Sequence, residues 1–435
     1  MKVLETHGKA PLRVRPWVLV LGAVVIIALV VVLTTGGSTP KHPSHGTTGG
    51  SGSAGGTHGG KATTASDDDL SLTSSSPAPG ASNVASDTAI TLTFSQAIAL
   101  DKVVPTLTPA VAGTWVRSGD KSLTYELQAP LVPSTDEVVT VPGGSSGLKA
   151  VDGRALSGSR SVNFSVAPGD TLRLQQLLAE LDYLPLSFTP SGPAPAAKDM
   201  AQDEAGAFAW KWPSLPTELT SLWTQGLSNM ITKAAVESFE NQNELVVDGE
   251  PGPAVWTALL RDVAAKTVDT TPYVYVLVNK VQPENLTLYN NGAAQYSGIL
   301  VNTGAPGADT VDGTYAVFEH VRYSDMKGTN PDGSTYNDPN VPYASYFNGG
   351  DALHGFIRAA YGYPQSNGCV EMSYANAALV WPLTPIGTLV TVEGPASPPL
   401  PPTPTTTSST TTTTTTAPAP PPTTAPPAPT TTAAP

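Results

Sequence analysis

Residues 364–372 read PQSNGCVEM, and a His-Gly pair, His354-Gly355, stands fifteen residues before the cysteine. Cys369 is the only cysteine of the chain. A thiol nucleophile needs an adjacent base to take its proton and a third group to orient that base. It also needs backbone N–H groups aimed at the developing oxyanion, and a glycine just before the nucleophile permits that close backbone approach. The stretch supplies a thiol, one nearby histidine and a Ser366-Asn367-Gly368 turn into the cysteine. A buried inert cysteine beside a satisfied core histidine is the other reading of the same residues.

Outward from this stretch, residues 271–393 are β-rich. YVYVLV at 273–278, NLTLY at 285–289 and YSGILV at 296–301 are separated by turn residues. Residues 169–264 change period. Leu174, Leu177, Leu178 and Leu181 fall at i, i+3, i+4 and i+7, one face of a helix. AAVESFE at 234–240 and VWTALL at 255–260 continue as helices on either side of a Gly/Pro turn. Residues 71–168 are all-β in texture, with alternation in ITLTF at 90–94, SLTYEL at 122–127 and SVNFSV at 161–166. About seven short strands in this span predict an immunoglobulin-like sandwich.

Both ends differ in composition. Trp17 to Leu33 carries no charge and is preceded by Lys2, Lys9, Arg13 and Arg15 against Glu5 alone. The span is near the short limit for crossing a bilayer, and the basic flank predicts a cytoplasmic N-terminus with the rest outside. TTGGSTPKHPS follows without a small-residue cleavage site, so an uncleaved single-pass membrane anchor is expected after a short arm at 1–16. Residues 34–70 read as a flexible Gly/Ser/Thr linker and residues 394–435 as a disordered Pro/Thr tail.

The net charge of −13 argues against a nucleic-acid partner, which would call for a basic face. One cysteine excludes an intrachain disulfide and a thiolate zinc cluster. Of the six histidines only His320 and His354 fall in foldable segments, so a His-rich metal centre is not expected, carboxylates remain open to a hard cation, and no metal site or cofactor is assigned. Two short motifs are chance matches. Gly143 to Gly147 fits G-x-S-x-G and Ser118 to Lys121 fits S-x-x-K, but both sit in the predicted sandwich, away from any strand-to-helix turn.

The residues around Cys369 resemble the L,D-transpeptidases of the YkuD type, whose signature is H-G, about fourteen to seventeen residues, then [ST]-H-G-C-x-[RN]. Here the match is His354-Gly355 followed by Ser366-Asn367-Gly368-Cys369-Val370-Glu371. Asn302-Thr303-Gly304, TVDGTY at 310–315 and PYASYFNGG at 342–350 match supporting stretches. The resemblance implies Cys369 as nucleophile, His354 as base and the Gly355 carbonyl steadying the imidazole. It implies an oxyanion hole from the Gly368 and Cys369 amides with the hydroxyl of Tyr343 or Tyr346, and a substrate-side turn at Ser366 and Asn367. Asn367 stands where the family has His, and Glu371 where it has Arg or Asn, which inverts a charge expected near the donor peptide.

The opening SPAPGASNVASDTAITLTFSQAI at 76–98 resembles bacterial Ig-like modules. RLQQLLAELDYLP, AVESFENQ and DGEPGPAVW resemble a small three-helix peptidoglycan-binding module, with Asp182 for the usual Gly, Glu240 for Gln, and an insertion carrying Trp210, Trp212 and Trp223. The implied function is a peptidoglycan L,D-transpeptidase, joining stem peptides by 3→3 links through a cysteine thioester, with peptidoglycan peptides and glycan as partners. The alternatives are an L,D-carboxypeptidase and a catalytically impaired wall-binding protein.

Overall fold

The computed structural model describes residues 69–100 and 103–396. The basic arm, the Trp17–Leu33 segment, residues 34–68 of the linker and the tail from residue 397 lie outside the described residues. Among the described residues no helix is long and apolar enough to cross a membrane.

Alternation builds the first domain. In the strand Ile90–Phe94 the residues Ile90, Leu92 and Phe94 are buried and the threonines between them half-buried. Successive side chains on a strand point to opposite faces, so each such strand offers one apolar face. Two four-stranded sheets carry these faces. One runs Leu72–Ser76, Ile90–Phe94, Ser122–Leu127, Gly113–Gly119; the other Ala81–Val84, Arg160–Val166, Asp136–Val141, Thr106–Thr108. This exceeds the seven expected strands because Ala81–Val84, a short ASNV run, pairs parallel with Arg160–Val166. The linker boundary also needs correction. Leu70 is 1% exposed and bridges Leu156, so its side chain belongs to the sandwich core and not to the linker. Ser118 to Lys121 occupies the hairpin between Gly113–Gly119 and Ser122–Leu127, and Gly143 to Gly147 a turn after Asp136–Val141.

Three longer helices follow. Asp170 caps Thr171–Glu180 by accepting from the Leu172 N–H at 2.6 Å, and Asn229 caps Met230–Gln242 through the Thr232 N–H at 3.0 Å. Pro253–Ala265 starts on proline, whose missing N–H is one of the groups left unpaired there in any case. The leucine stripe at 174, 177, 178 and 181 is buried throughout. Asp182 adopts φ +67°, the left-handed conformation that favours glycine. Glu240 accepts the N–H groups of Asp248 and Gly249 at 3.1 and 2.9 Å, and so holds the turn ahead of Pro253.

The boundary near residue 264 divides the sequence but not the packing. The apolar cluster that joins these helices also contains Tyr275 and Leu389 from the next sheet, both buried. The insertion forms the hairpin Leu186–Pro190 with Gly206–Trp210 and the short helix Thr217–Thr220. Its tryptophans are half-buried against the same core. Trp223 meets Phe208 edge-on at 5.3 Å, and Trp212 stacks on Tyr273 at 6.2 Å. A Cβ added to Gly292 would fall 2.2 Å from the Trp212 Cβ, and the Ser214 hydroxyl donates to the Gly292 carbonyl at 2.7 Å. These contacts engage Trp212 and Trp223 in protein packing.

Residues 273–393 form two further sheets. In the five-stranded one the order is Ala293–Leu300, Asn285–Asn290, Val274–Asn279, Leu389–Glu393, Gly313–Ala316. Val274–Asn279 is central and covered on both faces, which explains its nearly unbroken apolar run. The other has the order Glu319–Thr329, Thr335–Asn348, Asp351–Gly355, Val370–Met372. Val276, Val278, Leu288, Phe347, Leu353, Val370 and Val390 fill the space between the sheets.

Because one core serves the helices and the five-stranded sheet, Trp212→Ala should lower the unfolding free energy by about 2 kcal/mol, under the cost of a fully buried tryptophan. Calorimetry should show helices and sheet melting in a single shared transition. A variant that melts like the parent would contradict the shared core.

Candidate active site

Val370–Met372 is a three-residue strand lying parallel to Asp351–Gly355, in the register Leu353↔Val370, His354↔Glu371 and Gly355↔Met372. Cys369 is the residue before it, so this short ladder brings the thiol beside the strand that carries His354. Parallel strands cannot be joined by a tight turn, and the residues between 355 and 370 make the crossover.

The turn into Cys369 is clamped from one side by buried residues. The N–H groups of Gln365 and Ser366 both donate to the Thr303 carbonyl at 2.9 Å. The Thr310 hydroxyl donates to the Gly368 carbonyl at 2.6 Å and accepts the Gly304 N–H at 2.9 Å. Glu284 anchors Thr303 in turn, accepting its N–H at 2.7 Å and its hydroxyl at 2.8 Å. Within the turn the Ser366 hydroxyl donates to the Cys369 carbonyl at 2.6 Å and accepts the Gly368 N–H at 3.2 Å. Gly368 has φ +112°, and a Cβ there would sit 2.3 Å from Asp351 Oδ1. Glycine is required on both counts.

His354 is 2% exposed, and its Nδ1 lies 3.1 Å from the Gly355 carbonyl, which orients the ring. Burial holds its pKa below the ordinary imidazole value, opposed by the Gly355 carbonyl and the Glu371 charge, so the ring is neutral at pH 7. The Cys369 thiol donates to the Gly350 carbonyl at 3.6 Å. Burial pushes this thiol up to about 12; the Ala352 N–H pulls it back, and the Asp351 and Glu371 carboxylates add to the rise. Cys369 as a residue is only half-buried, and the water that reaches it works against that shift. The resting pair is therefore neutral thiol and neutral imidazole, and thiolate forms only as the proton leaves toward a base.

Glu371 corrects the expectation drawn from sequence. It is 4% exposed and held bidentate by Arg358, with Nε to Oε2 and Nη2 to Oε1 both 2.7 Å, while Asn302 Nδ2 adds a contact at 3.5 Å. Its charge is neutralised inside the fold and does not face a substrate. Asn367 is exposed, and its Nδ2 donates to Asn330 Oδ1 at 2.7 Å, tying the turn into Cys369 to the tip of the long hairpin Glu319–Thr329/Thr335–Asn348.

Of the two expected tyrosines, Tyr346 shares a hydrogen bond with the Ser324 hydroxyl at 2.8 Å. Tyr343 packs on Trp381 with ring centres 5.9 Å apart and lines a small pocket together with His354. A tyrosine that sequence reasoning passed over, Tyr336, stands near enough to the thiol to feel its charge; burial first, then Cys369, raises its hydroxyl. It lies over Gly328 on the paired strand, where a Cβ would meet its hydroxyl at 2.6 Å. Asp351, Arg358, Glu284 and Tyr336 were missed because each reaches the site by strand pairing or crossover, which leaves no local signature. Among the described residues, no group of three or more His, Cys, Asp and Glu side chains is placed to hold a metal.

This chain carries an L,D-transpeptidase catalytic domain, by the match of that family's model to residues 273–392. The model of the bacterial Ig-like domain matches residues 66–166. Among solved structures, an L,D-transpeptidase from Mycobacterium smegmatis is similar at 11% identity, covering 75% of this chain and 100% of that one, with a TM-score of 0.26. L,D-transpeptidase 3 from Mycobacterium tuberculosis is similar at 14% identity, covering 74% and 98%, also at 0.26. The catalytic domain of an E. faecium L,D-transpeptidase is similar at 23% identity, covering 29% and 100%, at 0.26. No curated protein matches the chain.

Within the transpeptidase domain the Arg358–Glu371 pair makes a sharp forecast. Arg358→Ala leaves a buried carboxylate uncompensated and should cost roughly 3 kcal/mol, whereas Arg358→Ala with Glu371→Gln should recover more than half of that loss. Denaturant midpoints of the two variants check it.

Proposed function

We propose that this chain is a peptidoglycan L,D-transpeptidase in which Cys369 is the nucleophile and His354 the base. The observation that carries this reading is the parallel ladder that sets Cys369 beside the strand carrying His354, with His354 Nδ1 on the Gly355 carbonyl, inside the matched domain. Cys369 attacks the carbonyl of a diaminopimelate residue in a tetrapeptide stem as His354 takes the thiol proton. His354 then delivers that proton to the amine of the departing terminal D-Ala, leaving a thioester. The side-chain amine of a second diaminopimelate opens the thioester and gives a 3→3 link. The Cys369 N–H supports the oxyanion. The Gly368 N–H, engaged by Ser366 at rest, joins it when that contact loosens. No cofactor enters this scheme. The same reading sets residues 17–33 in the membrane and the transpeptidase domain outside it, on the wall side.

A second reading, a slow or impaired enzyme, draws on the thiol being pushed up to about 12 and donating to Gly350 at 3.6 Å. Intact-protein mass spectrometry after adding a carbapenem separates the two, since acylation needs a competent thiol. Wild type should gain one adduct and Cys369→Ala none. His354→Ala should acylate at least ~100-fold more slowly, the low end of what a positioned base contributes. A wild type that gains no adduct would leave the impaired reading in place.

The state of the thiol gives a pH forecast. A pKa raised above the ordinary value means that the thiolate fraction grows as pH rises and is small at neutrality. Alkylation of Cys369 by iodoacetamide should accelerate about tenfold per pH unit from pH 7 to 9 without levelling, unlike a free thiol that levels near ~8.5.

A further inference from the structure

Asp351 opens the strand that carries His354, and its carboxylate lies against Gly368, the residue before the nucleophile. It is half-buried, and its charge is felt at the Cys369 thiol. Among the described residues no lysine or arginine forms an ion pair with it, unlike three other acids of the domain. Glu371 has Arg358, while Asp309 and Asp312 share Lys280 at 3.2 and 2.7 Å. A half-buried carboxylate without a cation, next to a nucleophile, is costly to keep unless a cation visits it.

The second half of a transpeptidation brings such a cation. The acceptor is a primary amine, an ammonium at neutral pH because its pKa is ~10.4, and it must lose a proton before nitrogen can attack. Groups within reach of the thioester are few. Glu371 is locked by Arg358. The Tyr336 hydroxyl titrates above its ordinary value and is no base at neutral pH. His354, neutral again once its proton has left with D-Ala, has room for one of the two protons the ammonium must shed, the one it returns to sulfur.

We infer that Asp351 is the acceptor-side residue of this site: its carboxylate binds the ammonium of the incoming amine and takes its proton. The inference rests on the transpeptidase reading above. In the step, the ammonium N–H proton passes to Asp351, the freed amine adds to the thioester carbonyl, and the C–S bond breaks to give thiolate and a protonated amide nitrogen. That nitrogen loses a proton to His354, which returns it to the thiolate; Asp351 releases its proton to water. Thiol, neutral imidazole and carboxylate are restored.

Burial pushes Asp351 up to about 6, with an Asn348 side-chain hydrogen bond opposing and the Asp309 charge adding. It is then ionised at pH 7 yet more basic than an ordinary carboxylate. The titratable groups that face it are Asp309, Tyr315, Tyr336 and Cys369. His354, which serves the same step, also titrates below the ordinary imidazole value, so the limb near 6 belongs to Asp351 only where Asp351→Asn abolishes it.

The test uses the full chain, a tetrapeptide donor and, in parallel, two nucleophiles: a diaminopimelate-containing tripeptide and hydroxylamine, which is mostly neutral at pH 7. Acylation is followed by mass spectrometry and deacylation by product. In wild type, aminolysis by the tripeptide should rise through about pH 6 and level off. An amine that arrives already neutral would instead make the rate climb tenfold per unit toward ~10, and that climb would overturn the inference. Asp351→Asn should cut aminolysis by the tripeptide at least tenfold, speed acylation by removing a charge that opposes the thiolate, and keep hydroxylamine turnover ahead of the tripeptide's. Asp351→Glu should recover part of the loss. Aminolysis within twofold of wild type in Asp351→Asn overturns the inference while leaving the transpeptidase reading intact. A wild type that never acylates overturns both, and the acylation trace tells the two failures apart.

Discussion

The parallel ladder between Asp351–Gly355 and Val370–Met372 is three residue pairs long, yet the site depends on it. A strand that short cannot hold its register by pairing alone. Here it is gripped from its other side by Asn302, whose backbone exchanges both hydrogen bonds with Glu371 at 2.9 Å, and by the bidentate Arg358 on the Glu371 side chain. A slip of one residue would turn the alternate faces over and carry Glu371 away from Arg358. The buried ion pair thus acts as a register lock, the use of buried charge for which the physical case is strongest.

The same logic extends outward. The sheet bearing Tyr275 and Leu389 has one face against the core of the domain and the other against the helices at 171–265. A Cβ on Gly387 would lie 2.7 Å from the Ala234 carbonyl, so backbone meets backbone where helix and sheet join. The helical segment is therefore a structural wall of the domain that holds the thiol. Whatever else it binds, its first role in this fold is to cover a β-sheet that would otherwise expose Tyr275 to water.

Much of this was legible in the sequence, and the reasons for the limits are physical. Period-two alternation located Ile90–Phe94, Ser122–Leu127 and Arg160–Val166 because each strand has one wet face; ASNV at 81–84 has no such contrast and was passed over. The leucine stripe gave Thr171–Glu180 for the matching reason at period 3.6. Cys369, His354 and the turn between them were visible because reactive side chains are rare in this chain. Leu70 was misplaced because composition averages over a window, while burial is decided residue by residue. Glu371 was misread because its partner Arg358 is thirteen residues away and reaches it only through the crossover. Charge read from sequence has a sign but no counter-ion.

The neutral thiol–imidazole pair has a consequence for chemical durability. Peroxide and related oxidants attack thiolate, and the first product, a sulfenic acid, is rescued most readily by a second thiol that closes a disulfide. Cys369 has no second thiol in its own chain. A sulfur that stays protonated is slow to enter that ladder, so the surroundings that raise the Cys369 thiol also shield it from damage this chain has no internal means to repair.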